Sequence, residues 1–311
     1  MFQGLINALP GGISQGLMWA ILALGVYVTY KILDFADLTV DGSLATGGCV
    51  AIVLTAAKVH PILAIIVAFF AGALAGIITA LLNTKLKIPA ILSGILTMSA
   101  LFSINKIILG KRANVSASPK LTIIGRLANL FGMSSSGLDR NILTIGLCVI
   151  LLAGIIAFLY WFFGTEWGSS IRATGNNQTM ATAQGINTDR AKIIALAMSN
   201  GLAALSGAVI SQYQFSGDVN MASGTIVIGL ASVVIGQLVV GERGSFWVRL
   251  VGVVLGSLIY RLIFALAVQI GLDPDNLKLI SSIIIVIALC IPTIKQKFFS
   301  NHKVGGEKNN A

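Results

Sequence analysis

Few side chains in this 311-residue chain could do chemistry. The two histidines are far apart, His60 ahead of a proline and His302 near the end, and the three cysteines lie in separate apolar stretches. Neither a catalytic triad nor a tetrahedral zinc site can be assembled from such a set. The sequence also contains no phosphate-binding loop of the GxxxxGK[ST] type. We therefore expect no catalytic residue, no metal site and no nucleotide bound by this chain.

The stretch DFADLTVDGS, residues 34–43, holds three carboxylates: Asp34, Asp37 and Asp41 are spaced i, i+3 and i+7. A helix would place all three on one face. They could border an unwound segment that lines a route for a solute, because carboxylates inside a membrane tend to mark such routes. They could equally lie in a solvated turn between two spans. Asp41-Gly42-Ser43 also has the pattern of a helix start, with a polar cap before an apolar run.

Arg261 lies next to Tyr260 in the middle of an apolar stretch, where a charge should face a partner or a water-filled cavity. Ser43 and Ser223 each lie just inside the start of a short apolar stretch. Our candidates for a translocation pathway are Asp37, Asp41, Ser43, Ser223 and Arg261.

The composition places these residues in a membrane protein. The chain is 56% hydrophobic and only 10% charged, with a mean hydropathy of +0.91, whereas soluble domains carry roughly 25% charged residues. Apolar stretches of about 20 residues, the length that spans a bilayer core, recur along the chain. The net charge of +10 is then explained by loop lysines and arginines that face anionic lipid, rather than by nucleic-acid binding.

The hydropathy pattern predicts an all-α polytopic membrane protein with about nine transmembrane helices, within a range of eight to ten. The predicted membrane domain covers residues 1–294, and a polar cytoplasmic tail follows at 295–311. The predicted spans are 13–33, 42–57, 62–82, 89–109, 141–164, 191–213, 222–240, 250–270 and 277–294. Lysines and arginines favour an outside N-terminus and put residues 165–190 in the cytoplasm, although the basic outer loop 110–140 departs from the rule.

A faint internal repeat accompanies these spans. The GxxxG pattern begins two segments that are 180 residues apart, GALAGIITALL (72–82) and GVVLGSLIYRL (252–262). Ser43 and Ser223 are also 180 residues apart. The two copies would cross the membrane in opposite directions, as in an inverted-topology repeat. Gly72, Gly76, Gly252 and Gly256 allow close helix packing, either within one chain or between two subunits.

The polar stretch GSSIRATGNNQTMATAQGINTDR, residues 168–190, interrupts the apolar pattern at the middle of the chain. Asn176 or Asn177 can cap a short helix over 178–184, Gly185 suits its C-terminus, and Thr188 or Asp189 can cap the next span. Because a helix of two turns is unstable alone in water, it needs support, and a groove on a partner would supply it.

These residues resemble a known segment. Gly168, Arg172-Ala173, Gly175-Asn176-Asn177, Gly185-Ile186-Asn187, Lys192 and LAALSGA (202–208) are similar to the cytoplasmic coupling segment of ATP-binding-cassette (ABC) importer permeases of the branched-chain amino acid and ribose group. DLTVDGSLATGG (37–48) resembles that family's D-L-S-V-G-S signature. GLASVVIGQLVVGERGSF (229–246) is similar to its glycine-rich stretch ending in G-x-R-G-S. The resemblance covers roughly residues 13–294.

The resemblance implies a type II ABC importer-like fold in a bacterial plasma membrane. It also implies a permease without an ATPase of its own, paired with a second copy of itself or a sibling. A cytosolic ATPase subunit would hold ATP and magnesium, and an extracellular binding protein would deliver the solute. The ATPase-coupling residues would be Arg172, Gly175, Asn176, Asn177, Ala183 and Gly185.

The substrate is less defined by the resemblance. D-L-T-V-D-G-S is similar to a branch linked to aromatic amino acids such as tryptophan or tyrosine. Two departures from the family pattern, Asp41 ahead of Gly42 and Gln237 in place of a common glycine, disfavour a sugar. We expect a permease that imports a small solute, an amino acid in the first place. An ion-coupled secondary transporter and a membrane scaffold without solute flux are the alternatives.

Overall fold

The computed structural model describes residues 2–134, 137–241, 244–269 and residue 286. Its helices are α1 (Phe2–Tyr27), α2 (Thr39–Ala56), α3 (Pro61–Thr84), α4 (Ala90–Ile108), α5 (Ile123–Phe131), α6 (Gly137–Phe163), α7 (Glu166–Asn176), α8 (Gln178–Ala183), α9 (Thr188–Gln214), α10 (Thr225–Val240) and α11 (Phe246–Gln269). A π-helical turn, Val28–Ile32, extends α1, and a 3-10 turn, Pro119–Leu121, precedes α5. Two short antiparallel strands, β1 (Asn114–Ser116) and β2 (Ser216–Asp218), pair with each other.

Seven of the described helical elements are long and apolar enough to cross a membrane: α1 with its π-helical extension, α2, α3, α4, α6, α9 and α11. The 16-residue α10 is a shorter apolar helix. These eight elements match the first eight predicted spans. Apart from residue 286, the ninth span, 277–294, and the tail 295–311 lie outside the described residues. The prediction of an all-α polytopic membrane protein is confirmed.

The helices divide into an inner and an outer group. Most of α1, α2 and α9 is buried inside the protein, whereas α4 and α6 bury only 28% of their apolar windows. Because their exposed residues are largely leucine, isoleucine and aromatic, α4 and α6 need lipid or another subunit to cover them. The chain thus folds around α9, which packs on both α2 and α3.

The first GxxxG pair brings α3 against α9. A Cβ atom at Gly72 would overlap the carbonyl oxygen of Asn200, and one at Gly76 would overlap that of Leu196. Only glycine lets the two backbones come so close. The residue numbers fall along α9 as they rise along α3, so the two helices are antiparallel.

The second GxxxG pair makes the same kind of contact between α11 and α10, which are also antiparallel. A Cβ atom at Gly256 would overlap the carbonyl oxygen of Ser232, and one at Gly252 would lie 3.2 Å from that of Gly236. In this chain both glycine pairs therefore pack against helices of the same subunit.

The helix contacts also give the relative directions of the two repeat copies. Gly25 of α1 packs on Ser199 and Leu202, and Ser206 donates a hydrogen bond to the Met18 carbonyl, so α1 is antiparallel to α9. Gly12 and Gly16 pack on successively earlier residues of α11, so α1 is antiparallel to α11 as well. Since α3 is antiparallel to α9, α3 runs opposite to α11, as the inverted repeat predicts.

The connecting segments lie at opposite ends of the bundle. The β1–β2 pair and α5 lie at the C-terminal end of α9, where the Gln212 side chain accepts a hydrogen bond of 2.8 Å from the Ile123 backbone. Helices α7 and α8 lie at the N-terminal end of α9. Thr188 and Gln212 are 24 residues apart, which corresponds to about 35 Å along the helix axis, at about 1.5 Å per residue. One end therefore presents residues 110–134, and the other presents residues 165–187.

Candidate functional site: a central cavity and a terminal helix pair

The aspartates of 34–41 do not share one helical face. The chain is non-helical between the π-helical turn and Thr39, and Asp34 has a left-handed φ of 53°. Asp34 is exposed, whereas Asp37 and Asp41 are buried. Helix α2 also begins at Thr39, two residues before the predicted cap at Asp41. The break separates the exposed Asp34 from the two buried carboxylates, Asp37 and Asp41, which have different hydrogen-bond partners.

Asp37 joins the start of α2 to α9. Its carboxylate accepts a hydrogen bond of 2.9 Å from the Thr39 backbone and one of 2.6 Å from the Asn200 side chain. The Ser43 hydroxyl donates to the same amide, at 2.6 Å from Asn200 Oδ1. All of these groups are buried, and hydrogen bonds to a charged carboxylate are stronger than neutral ones. Asp37, Asn200 and Ser43 therefore clamp α2 against α9.

Asp41 caps a helix that is distant in sequence. Its Oδ1 accepts from the Thr225 hydroxyl and the Ile226 backbone, both at 2.7 Å, and its Oδ2 accepts from the Gly224 backbone at 3.2 Å. The first N–H groups of a helix lack partners within it and favour a negative charge. Asp41 thus supplies to α10 the cap that its own N-cap residue, Gly224, cannot provide.

A cavity of about 340 Å³ opens beside Asp41, between α2, α4 and the segment leading into α10. Its polar lining includes Asp41, Ser99, Asn105, Asn220 and Ser223, and Met98 and Phe102 are among its apolar lining. Of the two predicted pathway serines, only Ser223 lines this cavity. Ser223 is exposed in the cavity wall, whereas Ser43 is fully buried in the α2–α9 contact.

Sequence analysis missed Asn105 in this cavity wall. The residue is 1% exposed, and neither atom of its side-chain amide has a hydrogen-bond partner among the described residues. An unsatisfied buried polar group costs about 1–3 kcal/mol, so each one requires an explanation. The available signal was the single asparagine within the apolar segment 89–109.

Arg261 lies away from this cavity, between α11 and α1. Its guanidinium is 4.4 Å from the ring centre of Trp19 and 5.4 Å from that of Phe264, and it donates to Gln15 at 3.4 Å. The side chain is 8% exposed, and its Nε has no hydrogen-bond partner in the part of the chain that the structure describes. Cation–π contacts of a desolvated guanidinium reach about 2 kcal/mol. Arg261 therefore holds α1 and α11 together, and its part in transport stays a prediction.

The polar segment at the middle of the chain folds into two helices, α7 and α8. Asn177 caps α8, since its side chain accepts a hydrogen bond of 3.0 Å from the Met180 backbone. Gly185 follows with a left-handed φ of 83°. The predicted short helix and its glycine are confirmed. The cap of α9 differs, because Asn187 accepts from the Arg190 backbone at 3.0 Å in place of Thr188 or Asp189.

The predicted coupling residues divide between the body of the protein and its surface. A Cβ atom at Gly175 would overlap the Ile32 carbonyl oxygen, so this glycine seats α7 on the end of α1. Arg172 reaches over the rings of Phe246 at 4.5 Å and Phe163 at 5.5 Å. The surface is formed by exposed residues from Asn176 to Gly185, among them Asn177 and Ala183.

An apolar side chain stands out on this polar surface. Met180 of α8 is 61% exposed, while its neighbour Ala181 is buried against the protein. A six-residue helix gains little stability from its own hydrogen bonds. Methionine is flexible and polarisable, and it is common on surfaces that bind other proteins. Met180 was not among our predicted residues, although it is the one large apolar residue of 176–185.

Comparison with known proteins relates this chain to a family of membrane transport proteins. Residues 9–289 match the family model described as branched-chain amino acid transport system / permease component. A tyrosine transport system permease protein of Clostridioides difficile (strain R20291) is 36% identical over 88% of this chain and 87% of its own length. The ribose import permease protein RbsC of Escherichia coli (strain K12) is 26% identical over 94% of this chain and 87% of its own.

Among solved structures, PsaBC from Streptococcus pneumoniae in complex with Fab aligns with 91% of this chain and 89% of its own, at 13% identity and a TM-score of 0.49. The family match covers nearly all of the described bundle, from α1 to α11. The expected location in a bacterial plasma membrane agrees with it. The chain belongs to the branched-chain amino acid and ribose type of ABC transporter permeases.

Proposed function

We propose that this chain is the membrane subunit of an ABC importer that moves an amino acid, in the first place an aromatic one, into the cell. The observation that carries the proposal is the α7–α8 pair, a capped short helix with an exposed methionine at one end of the bundle. A partner ATPase would receive α8 in a surface groove and bind ATP and magnesium. The permease itself would catalyse no reaction.

The remaining partners follow from the two ends of the bundle. An extracellular binding protein would deliver the solute at the end that carries β1–β2 and α5. A second copy of the chain, or a sibling, would cover the exposed apolar residues of the outer helices, which the single chain leaves open. ATP-driven movement of α8 would pass to α1 through the contact between Gly175 and the Ile32 carbonyl.

The choice of an amino acid is supported by a relative and by two residues. The tyrosine permease relative is the more similar of the two named permeases, at 36% against 26% identity. At Asp41 and Gln237 this sequence departs from the family pattern, and both departures disfavour a sugar as the solute. Asp41 adds a carboxylate to the cavity wall, which favours a solute with an ammonium group over an uncharged sugar.

The experiment that tests the proposal is a mild-detergent purification of the tagged chain from its native membrane, followed by mass spectrometry of the proteins bound to it. We expect an ATPase subunit and a solute-binding protein, and the ligand of the latter would be identified directly. A chain that purifies only with itself, yet transports solute into liposomes under an ion gradient, would instead be a secondary transporter. A chain without flux in any combination would be a scaffold.

Met180→Glu should remove the ATPase from this purified complex. The substitution places a charge on the exposed tip of α8, where burial in an apolar groove would cost several kcal/mol. Chain abundance should be unchanged, because Met180 is 61% exposed. The measurement is the ratio of ATPase to permease in the eluate, and we expect at least a tenfold loss, equivalent to about 1.4 kcal/mol.

Leu130→Glu is the matched control for this substitution. Leu130 is 77% exposed on α5, at the opposite end of the bundle, so the ATPase should copurify as with the unmodified chain. Full ATPase recovery with Met180→Glu would show that α8 is not the docking helix.

A further inference from the structure

The cavity beside Asp41 has a buried amide in its wall that the fold does not use. Asn105 is 1% exposed, and its Oδ1 and Nδ2 have no partner among the described residues. Burying an amide without hydrogen bonds costs free energy, and an apolar residue at this position would avoid that cost. The amide carries one acceptor and two donors, and Asn105 belongs to the lining of a cavity that is large enough for a small molecule. Its partner is therefore to be sought in the cavity.

A row of polar residues on α4 begins at Ser99, which lines this cavity. Ser99, Ser103 and Lys106 are exposed and spaced i, i+4 and i+7, so they form one stripe along the outer half of α4. Hydroxyl and ammonium groups are poorly placed against hydrocarbon. The stripe indicates that this face of α4 borders water rather than lipid. Asn105 precedes Lys106 on the same helix, but it is buried in the cavity wall and is not part of the exposed stripe.

The rest of the cavity lining favours one class of solute. Asp41 is the single charged residue of the described lining. Its three hydrogen bonds use three of the roughly four lone-pair sites of a carboxylate, so one further donor can be accepted. Met98 and Phe102, which are 39% and 50% exposed, provide an apolar wall beside these polar groups. A zwitterion with an apolar or aromatic side chain matches both kinds of lining.

We infer that this cavity is a binding station for the transported solute, and that Asn105 bonds the carboxylate of an amino acid while Asp41 faces its ammonium group. The side chain of the solute lies against Met98 and Phe102. The inference rests on the proposed function, because it assigns a site to the solute that the importer moves. The Asn105 amide has no hydrogen-bond partner among the described residues, and the solute completes its hydrogen bonding.

Asn105→Leu tests the inference, because leucine has nearly the same size and no polar atoms. The host strain carries the altered chain in place of its own, together with all native partners, and uptake of labelled L-tyrosine and D-ribose is measured at a concentration well below saturation, where the rate depends on how tightly the solute is bound. We expect L-tyrosine uptake to fall at least about tenfold, the value of one hydrogen bond to a charged group. The melting temperature of the purified chain should stay the same or rise.

Thr97→Val is the matched control on the same helix. Thr97 is 4% exposed and its hydroxyl bonds only the Ser93 carbonyl within α4, so uptake should stay within about twofold. If Asn105→Leu raises the melting temperature and leaves uptake unchanged, the amide is a packing defect and the inference is wrong. Should the leucine variant not accumulate, Phe102→Ala serves instead, and it should slow L-tyrosine uptake more than L-alanine uptake.

The two proposals fail in different ways. Failure of the proposed function appears in the unmodified chain, which would then purify without an ATPase or take up no amino acid. Failure of the binding station appears when the unmodified chain imports L-tyrosine and the Asn105→Leu chain does so equally well. Loss of D-ribose uptake with intact L-tyrosine uptake would overturn the assigned class of solute.

Discussion

Gly256→Leu should prevent the C-terminal helices from packing and should strongly reduce the amount of folded protein. Beyond the Ser232 carbonyl oxygen, a side chain at this position meets the backbone nitrogen and Cα of Gly236. Backbone atoms of a helix cannot rotate away as a side chain can, so α10 and α11 must separate. Overpacking of a core costs typically about 1–3 kcal/mol, and we expect the upper end or more here.

The same substitution at Gly154 is the matched control. Gly154 lies inside α6, is exposed, and has nothing within 4 Å of an added Cβ. Leucine is a better helix former than glycine by roughly 1 kcal/mol, so Gly154→Leu should be as stable as the unmodified chain or slightly more so. The measurement is the midpoint of thermal unfolding in detergent, and we expect a drop on the order of 10 °C for Gly256→Leu alone. Equal midpoints for the two variants would mean that the α10–α11 contact contributes little.

The features that could be predicted from the sequence are those set by residues close together in the chain. A run of apolar residues is sufficient to make a membrane span, because every backbone group must be satisfied within the segment. The cap of α8 is equally local, since Asn177 bonds Met180 three residues later. For the same reason the sequence indicated the helix and Gly185 without any knowledge of the rest of the fold.

The features that could not be predicted depend on pairs of residues far apart in the chain. Asp41 satisfies the first N–H groups of a helix that begins 184 residues later, at Thr225. The local sequence pattern instead predicts that this aspartate caps the helix that follows it directly. Asn105 has no sequence signal beyond its polarity. Its meaning depends on which helices surround it and on the absence of a bonding partner, and both are properties of the packed structure.

Among substitutions of the buried carboxylates, Asp41→Ala should be the most destabilising. A second substitution, at Thr225, provides an internal check. Asp41→Ala leaves the Thr225 hydroxyl and the Gly224 and Ile226 backbone N–H groups without their acceptor. Each unsatisfied buried group costs about 1–3 kcal/mol, and the lost charge at the helix N-terminus adds about 0.3–1 kcal/mol. Because the loop before α10 is partly exposed, water should recover part of this. We expect a net loss of about 2–4 kcal/mol.

A double-mutant cycle with Thr225→Val isolates the part that belongs to the Asp41–Thr225 bond. Thr225→Val removes the hydroxyl donor and keeps the shape of the side chain, so its effect alone should be smaller than that of Asp41→Ala. If the two groups act through their 2.7 Å hydrogen bond, the double variant should be less destabilised than the sum of the single changes, by about 1 kcal/mol or more. Additive effects would show that the Thr225 hydroxyl bond contributes little, which would leave the backbone N–H groups of Gly224 and Ile226 as the groups through which Asp41 caps α10.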